Sequence, residues 1–311
     1  MALYPKNAAT STPVPYEDTK YGAAAAFCAF ALWGTLPIYW KLFDNINALE
    51  IICHRSLWSL FCLTPVVLYT KRLPEVLAAL CGRNVLLLLA SSILLCANWL
   101  IFIWAVANDH LLETSLGNFI TPLLTMLFGV VFFKDTITRL QWLSLALVVA
   151  AIIVRVATLG NFPWISLGVS VSFALYGVIR KIAPVEAIPG LVVESLLLFP
   201  ACIAILSWFA LSGTLSFGSS TSTSLLLFST GIMTATPMFL FAYSARHLKL
   251  TTLGLFHYMV PTLTFALGVF VYNEPFGPSH LISFALIWGA LALYTFEKFR
   301  VLAQTPAVGK K

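Results

Sequence analysis

The sequence predicts an all-α membrane protein of ten transmembrane helices, arranged as two inverted five-helix repeats. Composition is the first observation behind this. Sixty per cent of the residues are hydrophobic, 10% are charged and the mean hydropathy is +0.92, which excludes a soluble globular chain of 311 residues. The second is an internal repeat. Phe30-Ala31-Leu32-Trp33-Gly34 returns as Phe173-Ala174-Leu175-Tyr176-Gly177, and a glutamate follows each glycine, Glu50 after 16 residues and Glu194 after 17. Later, Leu116-Gly117-Asn118-Phe119, Pro122, Thr125 and Gly129 answer to Leu253-Gly254-Leu255-Phe256, Pro261, Thr264 and Gly268. The third observation is charge asymmetry. With a cytoplasmic N-terminus, fifteen of the lysines and arginines fall in inner segments, only Lys41 and Arg155 in outer ones, and Arg55 within a span.

The apolar spans run 21–43, 48–70, 85–108, 111–133, 138–156, 162–180, 189–211, 224–246, 251–272 and 278–300. Each is long enough to cross a hydrocarbon core of roughly 30 Å. Residues 1–20, with Pro5, Pro13 and Pro15, read as a cytoplasmic tail. Residues 21–156 form the first repeat, 162–300 the second, and 301–311 a second cytoplasmic tail. No basic segment precedes a short apolar stretch, so the first span is a retained helix and not a cleaved signal. Five spans per repeat is an odd number, so the second copy enters the bilayer from the opposite side. Inverted repeats of this kind accompany alternating access about a central solute site.

The first span carries Trp33 beside the repeated glycine. The second contains Glu50, His54 and Arg55. Charges at membrane depth are costly and face the bundle interior or a wet cavity. Glu50 and His54 are one turn apart on one face. Arg55 lies round the helix from them and needs a partner on another helix, or must snorkel. The trio reads either as a structural ion pair or as a gate, and Glu194 is the counterpart of Glu50 near the opposite membrane face. The third span has Asn98, Trp99 and Phe102, an amide among aromatics that suits interhelical bonding or a cavity wall equally. The fourth starts with Glu113 and carries Thr114, Asn118, Thr121 and Thr125 on one helical side. Glu113 has no basic neighbour in its own span, which favours it over Glu50 as a proton carrier. The sixth span supplies Tyr176. The ninth lines up Gly254, His257, Pro261, Thr264 and Gly268, with Tyr258 alongside. Pro122 and Pro261 each release a backbone carbonyl, which helices tolerate where they line a cavity.

Together these residues resemble the RarD family of the drug/metabolite transporter superfamily, built from EamA-type repeats. The resemblance covers about residues 20–300. It rests on the two repeat motifs with Leu36-Pro37 and Tyr39-Trp40-Lys41, on Glu50 with His54-Arg55 and Trp58-Ser59, on Asn98-Trp99 and Trp104-Ala105-Val106, and on Glu113-Thr114-Ser115-Leu116-Gly117 with Pro122. In the second half Arg180-Lys181, Ala183-Pro184-Val185, Glu194, Gly254, Tyr258, Pro261-Thr262 and Glu274 carry it. The family pattern has an aromatic at the place of Asn118 and a glutamine at that of His257, departures that bear on which solute is carried. The resemblance implies two inverted EamA repeats, a bacterial inner-membrane location, and spans 1–4 and 6–9 around the cavity with 5 and 10 peripheral.

The expected function is secondary transport of small organic solutes by alternating access, with proton-coupled efflux as the leading form. Uptake or facilitated movement of amino-acid-like or cationic metabolites is the alternative. The expected solute-binding residues are Trp33, Asn98, Trp99, Phe102, Glu113, Asn118, Tyr176, His257 and Tyr258. The gating or coupling residues are Glu50, His54, Arg55, Glu113 and Glu194. An enzyme is not expected, because the five histidines are dispersed and no HExxH occurs. No cofactor or metal is implied, and the scattered cysteines form no CxxC. The partners are a small-molecule solute, the lipid bilayer and protons. Nucleic acid is not among them, since the net charge of +6 follows from the inner-side bias. Monomer and homodimer remain open.

Overall fold

The computed structural model describes residues 20–304 apart from positions 44, 161, 184 and 249. The expected tails lie mostly outside the described residues, and so do Lys6, Lys249, Lys310 and Lys311. Among the described residues ten helices are long and apolar enough to cross a membrane. The first repeat contains α1 (Lys20–Trp40), α2 (Ala48–Tyr69), the short α3 (Leu73–Ala79), α4 (Arg83–Ala107), α5 (Leu111–Phe133) and α6 (Arg139–Leu159). The second contains α7 (Trp164–Ile182), α8 (Ala187–Leu211), α9 (Thr221–His247), α10 (Leu250–Phe256), α11 (Met259–Ala266) and α12 (Pro278–Gln304). Local sequence sets the ends. Asn47 caps α2 through the Leu49 amide at 2.9 Å, Thr138 and Gln141 form a reciprocal capping box on α6, and Gly160 ends α6 at φ 68°.

Two features differ from ten plain spans. Residues 73–79, between the second and third spans, form a short helix, α3; Pro74 lies in its first turn and favours helix initiation. The ninth span is also broken. It stops at Phe256, restarts at Met259 and ends in a π-helical turn, Leu267–Val271. Its repeat mate α5 is continuous through Pro122. A proline removes one helical bond, and the surroundings decide whether the helix opens there.

The packing is that of a duplication. The repeat mates are α1 with α7, α2 with α8, α4 with α9, α5 with α10–α11, and α6 with α12. Exchanging mates carries the contact of α4 with α7 into that of α9 with α1, α5 with α7 into α11 with α1, and α2 with α9 into α8 with α4; all of these occur. The contacts of α2 with α8, α5 with α11 and α6 with α12 map onto themselves. Close approach uses small residues. A Cβ at Gly117 would stand 2.6 Å from the Ser166 carbonyl oxygen, so only glycine lets α5 lie against α7 here. Cross-helix hydroxyl bonds add register: Ser166 Oγ donates to the Glu113 carbonyl and Ser115 Oγ to the Pro261 carbonyl, both at 2.8 Å. Leu86, Val149, Ile153, Trp208 and Phe270 point outward, an apolar perimeter that only lipid would cover.

Lys20, Arg72, Arg83, Arg139, Arg180 and Lys181 gather at the end where α1 begins, called the basic end below. The other is the far end.

Candidate functional site

A cavity of about 740 Å³ opens at the basic end, between the two repeats. From α5 come Thr121, Pro122, Thr125 and Gly129; from α7, Phe173, Gly177 and Lys181; from the break in the ninth span, Gly254, His257 and Tyr258. Gln141 of α6 and Tyr294 of α12 complete the wall, so spans five and ten reach the cavity as well. Lys181 and Asp135 face each other across the mouth at 3.9 Å, both more than half exposed. The volume lies within the 300–1,000 Å³ usual for small-molecule sites. The walls offer rings and hydroxyls, with the one ion pair at the rim.

The symmetry mates of this wall are closed. Gly177 has nothing within 4 Å of an added Cβ, whereas its mate Gly34 meets Leu263 at 2.7 Å. Thr125 is exposed to the cavity, whereas its mate Thr264 is 0% exposed. Gly254 lines the cavity with nothing within 4 Å of an added Cβ, whereas its mate Gly117 meets the Ser166 carbonyl oxygen at 2.6 Å. Gly129 also lines the cavity and meets Asp135 of its own hairpin, whereas Gly268 packs on Leu111 and Leu112 at 3.3–3.4 Å. One interface is therefore splayed and its repeat-related copy is shut. A smaller apolar hollow of about 560 Å³ at the far end, walled by Trp40, Ile51, Leu100, Trp104 and Trp164, is a separate feature.

Of the residues expected to bind solute, the structure brings His257 and Tyr258 together on the cavity wall. Tyr258 Oη lies 3.3 Å from Thr295 Oγ1, and the His257 ring stands edge-on to Phe30. The others sit elsewhere. Asn98 Nδ2 donates to the Val169 carbonyl at 2.8 Å and to Ser172 Oγ at 3.1 Å, tying α4 to α7. Trp33 packs against Phe30 and Phe241. Trp99 lies beneath the Arg55 guanidinium at 3.8 Å. Phe102 is half-buried in the far-end cluster, Tyr176 packs in the cluster around α2 and α8, and Asn118 is half-buried on α5.

The expected gating charges have partners that sequence spacing did not show. Glu50 is 0% exposed and accepts from the amides of Ser216 (2.9 and 3.1 Å) and Phe217 (2.9 Å), in the loop between α8 and α9. Trp58 Nε1 donates to His54 Nδ1 at 3.1 Å, which leaves the proton on Nε2, 3.9 Å from Glu50 Oε1. Arg55 neither snorkels nor pairs with Glu50. Glu113 has a basic neighbour after all, from another helix: Arg155 of α6 at 3.1 Å. Glu194 accepts from Ser91 Oγ at 2.6 Å and lies 3.7 Å from Arg180 Nη1, while its Oε2 is buried without a partner. Glu274, in the loop before α12, accepts from the Leu111 and Leu112 amides at 2.5 and 2.8 Å and so caps α5. Among the described residues, no group of three or more His, Cys, Asp or Glu side chains is placed to hold a metal ion.

Residues 20–157 match the model of the EamA-like transporter family. Protein RarD of Salmonella typhimurium is 40% identical over 90% of this chain and 96% of its own length. The chain belongs to the RarD family of EamA-like transporters. An uncharacterized transporter of Pseudomonas aeruginosa is 38% identical to this RarD-family chain, over 94% of it and 99% of the relative. The uncharacterized transporter YojE of Bacillus subtilis is 35% identical, over 92% and 97%. A solved crystal structure only 17% identical covers 88% of this chain and 97% of its own with a TM-score of 0.55, a likeness in fold alone. The RarD-family chain is thus a multi-pass membrane protein.

Proposed function

We propose that the chain is a secondary transporter that moves small organic solutes across the bacterial inner membrane by alternating access. Its basic end faces the cytoplasm, following the positive-inside bias. Both termini then lie in the cytoplasm. The observation that carries this reading is the one-ended cavity at a duplicated interface. Gly177 and Thr125 are open where Gly34 and Thr264 are closed, so the same contacts can shut one end and open the other. Names of relatives such as the P. aeruginosa and B. subtilis transporters agree with transport.

Outward export driven by inward proton movement is the form we favour. A coupling carboxylate must be able to gain and lose a proton inside the protein, and a fully engaged one resists that. Glu113 is held by Arg155 and Glu50 by three amide bonds. Glu194, near the basic end, is less fully engaged: Ser91 and, at 3.7 Å, Arg180 reach only its Oε1, and its buried Oε2 accepts no hydrogen bond. Flux in proteoliposomes, with and without a pH gradient, tests this. Glu194→Gln should remove the gradient's effect and leave solute exchange at equal pH intact, while Tyr258→Ala should lower both. Full gradient-driven flux in Glu194→Gln would move the coupling role to another carboxylate.

A further inference from the structure

The guanidinium of Arg55 is the one charge of the second span that neither the cavity nor the Glu50 contacts use. It sits seven residues inside α2 and is only 7% exposed. Among the described residues no carboxylate pairs with it and no oxygen accepts from it, and its Nε is buried without a partner. Glu50, the nearest carboxylate along its helix, is occupied by the Ser216 and Phe217 amides. The Tyr39 hydroxyl is committed to Ser229 and to the Leu226 carbonyl. Arg55 instead lies over the Trp99 ring at 3.8 Å and beside the Trp40 ring at 5.2 Å. Stacking offsets only part of the desolvation of a buried ion, and buried charges are ordinarily paired.

A second, independent observation points the same way. Trp40 Nε1 is also buried with no acceptor. An indole N–H and a guanidinium N–H can only donate. Two donor-only groups from different helices, close together and both unanswered, describe a site whose acceptor is absent, and the charge of one of them makes that acceptor an anion.

We propose that Arg55, with Trp40 and Trp99, is an anion-recognition subsite, and that the transported solutes are organic carboxylates whose carboxylate docks on the guanidinium edge. This rests on the transport reading above and extends it from the rings and hydroxyls of the cavity to the charge of the solute. Trp99 holds the guanidinium plane, leaving its N–H edge for the ligand, and Trp40 supplies one more donor. A cationic solute is disfavoured here, because it would meet an unneutralised positive charge.

The test is thermal unfolding of the purified full-length protein in detergent, at constant ionic strength. The probes are sodium acetate, sodium benzoate, benzamide, benzamidine hydrochloride and sodium chloride. Acetate or benzoate should raise the midpoint, while neutral benzamide and cationic benzamidine should not. Chloride separates a simple halide site from a carboxylate site. Arg55→Gln should abolish the carboxylate shift. Arg55→Lys, which keeps the charge but loses the fork and the stack, should weaken the apparent affinity tenfold or more. Trp40→Phe, which deletes the N–H and keeps an aromatic ring beside Arg55, should weaken it several-fold and serves where an Arg55 variant fails to fold.

Stabilisation by chloride alone, by benzamidine or benzamide as much as by benzoate, or by none of the probes would overturn the proposal. So would an undiminished carboxylate shift in Arg55→Gln and Trp40→Phe. Uptake of labelled benzoate into proteoliposomes separates this proposal from the reading beneath it. Uptake that ignores Arg55→Gln and Trp40→Phe sinks the subsite and leaves transport standing. Arg55-dependent stabilisation without uptake of any stabilising carboxylate keeps the anion site and overturns its role in solute transport.

Discussion

Alanine at Gly34 and alanine at Gly177 should push one conformational equilibrium in opposite directions. In the structure a Cβ on Gly34 would lie 2.7 Å from Leu263 Cδ1 and 2.8 Å from Leu263 Cβ. Carbon atoms rest about 3.5–4.0 Å apart, and a Cβ cannot swing aside as a side-chain tip can. Overpacking of this kind costs about 1–3 kcal/mol. That cost falls on the state open at the basic end, because only there is the contact of α1 with α11 shut. Gly177, with nothing within 4 Å, tolerates a methyl group now and would pay only once α5 closes on α7. The population open at the far end should therefore rise roughly 5- to 150-fold in Gly34→Ala and fall in Gly177→Ala. Thr264, 0% exposed, reports that population. In a background freed of native cysteines, a Thr264→Cys thiol is alkylated by a membrane-impermeant maleimide applied at the far end. Its rate should increase in Gly34→Ala and decrease in Gly177→Ala. Equal rates in all three proteins would refute the view that these glycines mark the two alternating interfaces.

Three further outcomes are expected. Asn98→Ala removes the bonds to Val169 and Ser172 and should destabilise the purified protein by about 0.6–2 kcal/mol, read as a lower thermal midpoint; an unchanged midpoint with lost flux would make Asn98 a solute contact instead. Glu50→Gln weakens the charge-assisted tie to the Ser216 and Phe217 amides, worth about 1.5–3 kcal/mol, so folded yield on size-exclusion chromatography should drop, and a normal yield would count against a structural role. Glu274 supplies a pH dependence: burial, the largest influence, raises its carboxyl above the usual range, with the Leu112 and Leu111 amides opposing. The folded chain then keeps this proton to higher pH than the unfolded chain does. Its contribution to stability is present below about pH 4.3 and declines as pH rises through the folded value. Glu274→Gln should flatten that part of the midpoint-versus-pH curve; an identical slope in both proteins would show that another group causes it.

The duplication was legible because it is written in residues whose size matters. Gly34 and Gly177, Thr125 and Thr264, and Gly129 and Gly268 recur at equivalent places, as the alternating-access reading proposed above requires of two interfaces that close in turn. The same repetition hides which copy is closed, since that depends on conformation. The intramembrane charges were legible from their cost, but their partners were not. Glu50 finds its amides in a loop 166 residues away, and Arg155 reaches Glu113 from another helix. Periodicity within one helix carries no information about such neighbours. Gln141, Tyr294 and Asp135 of the cavity wall escaped notice, and Lys181 was not read as part of it, because polar and aromatic residues near helix ends look like ordinary interfacial residues. Pro122 and Pro261 were equal signals, yet only the second accompanies a break in its span.

Polar ties cross between the repeats at both ends, so their presence alone does not decide which end opens. At the far end Glu50 of the first repeat holds the loop between α8 and α9, and Glu274 of the second holds the start of α5. At the basic end Arg72 reaches Glu186 at 2.7 Å and Ser91 reaches Glu194, but both lie on the side of α2 and α8, away from the cavity. The mouth itself is spanned by Lys181 and Asp135, an exposed pair of the kind worth about 0–1 kcal/mol. Buried bonds to a carboxylate are worth about 1.5–3 kcal/mol. Opening the mouth therefore sacrifices little, while opening the far end at the repeat-related interface must break the Glu274 cap. For the two states to interconvert, closing α5 onto α7 has to return a comparable amount. The packing of Gly34 on Leu263 and of Gly268 on Leu111 and Leu112 shows where that return would come from: Gly177 against Leu124, and Gly129 against the start of the ninth span.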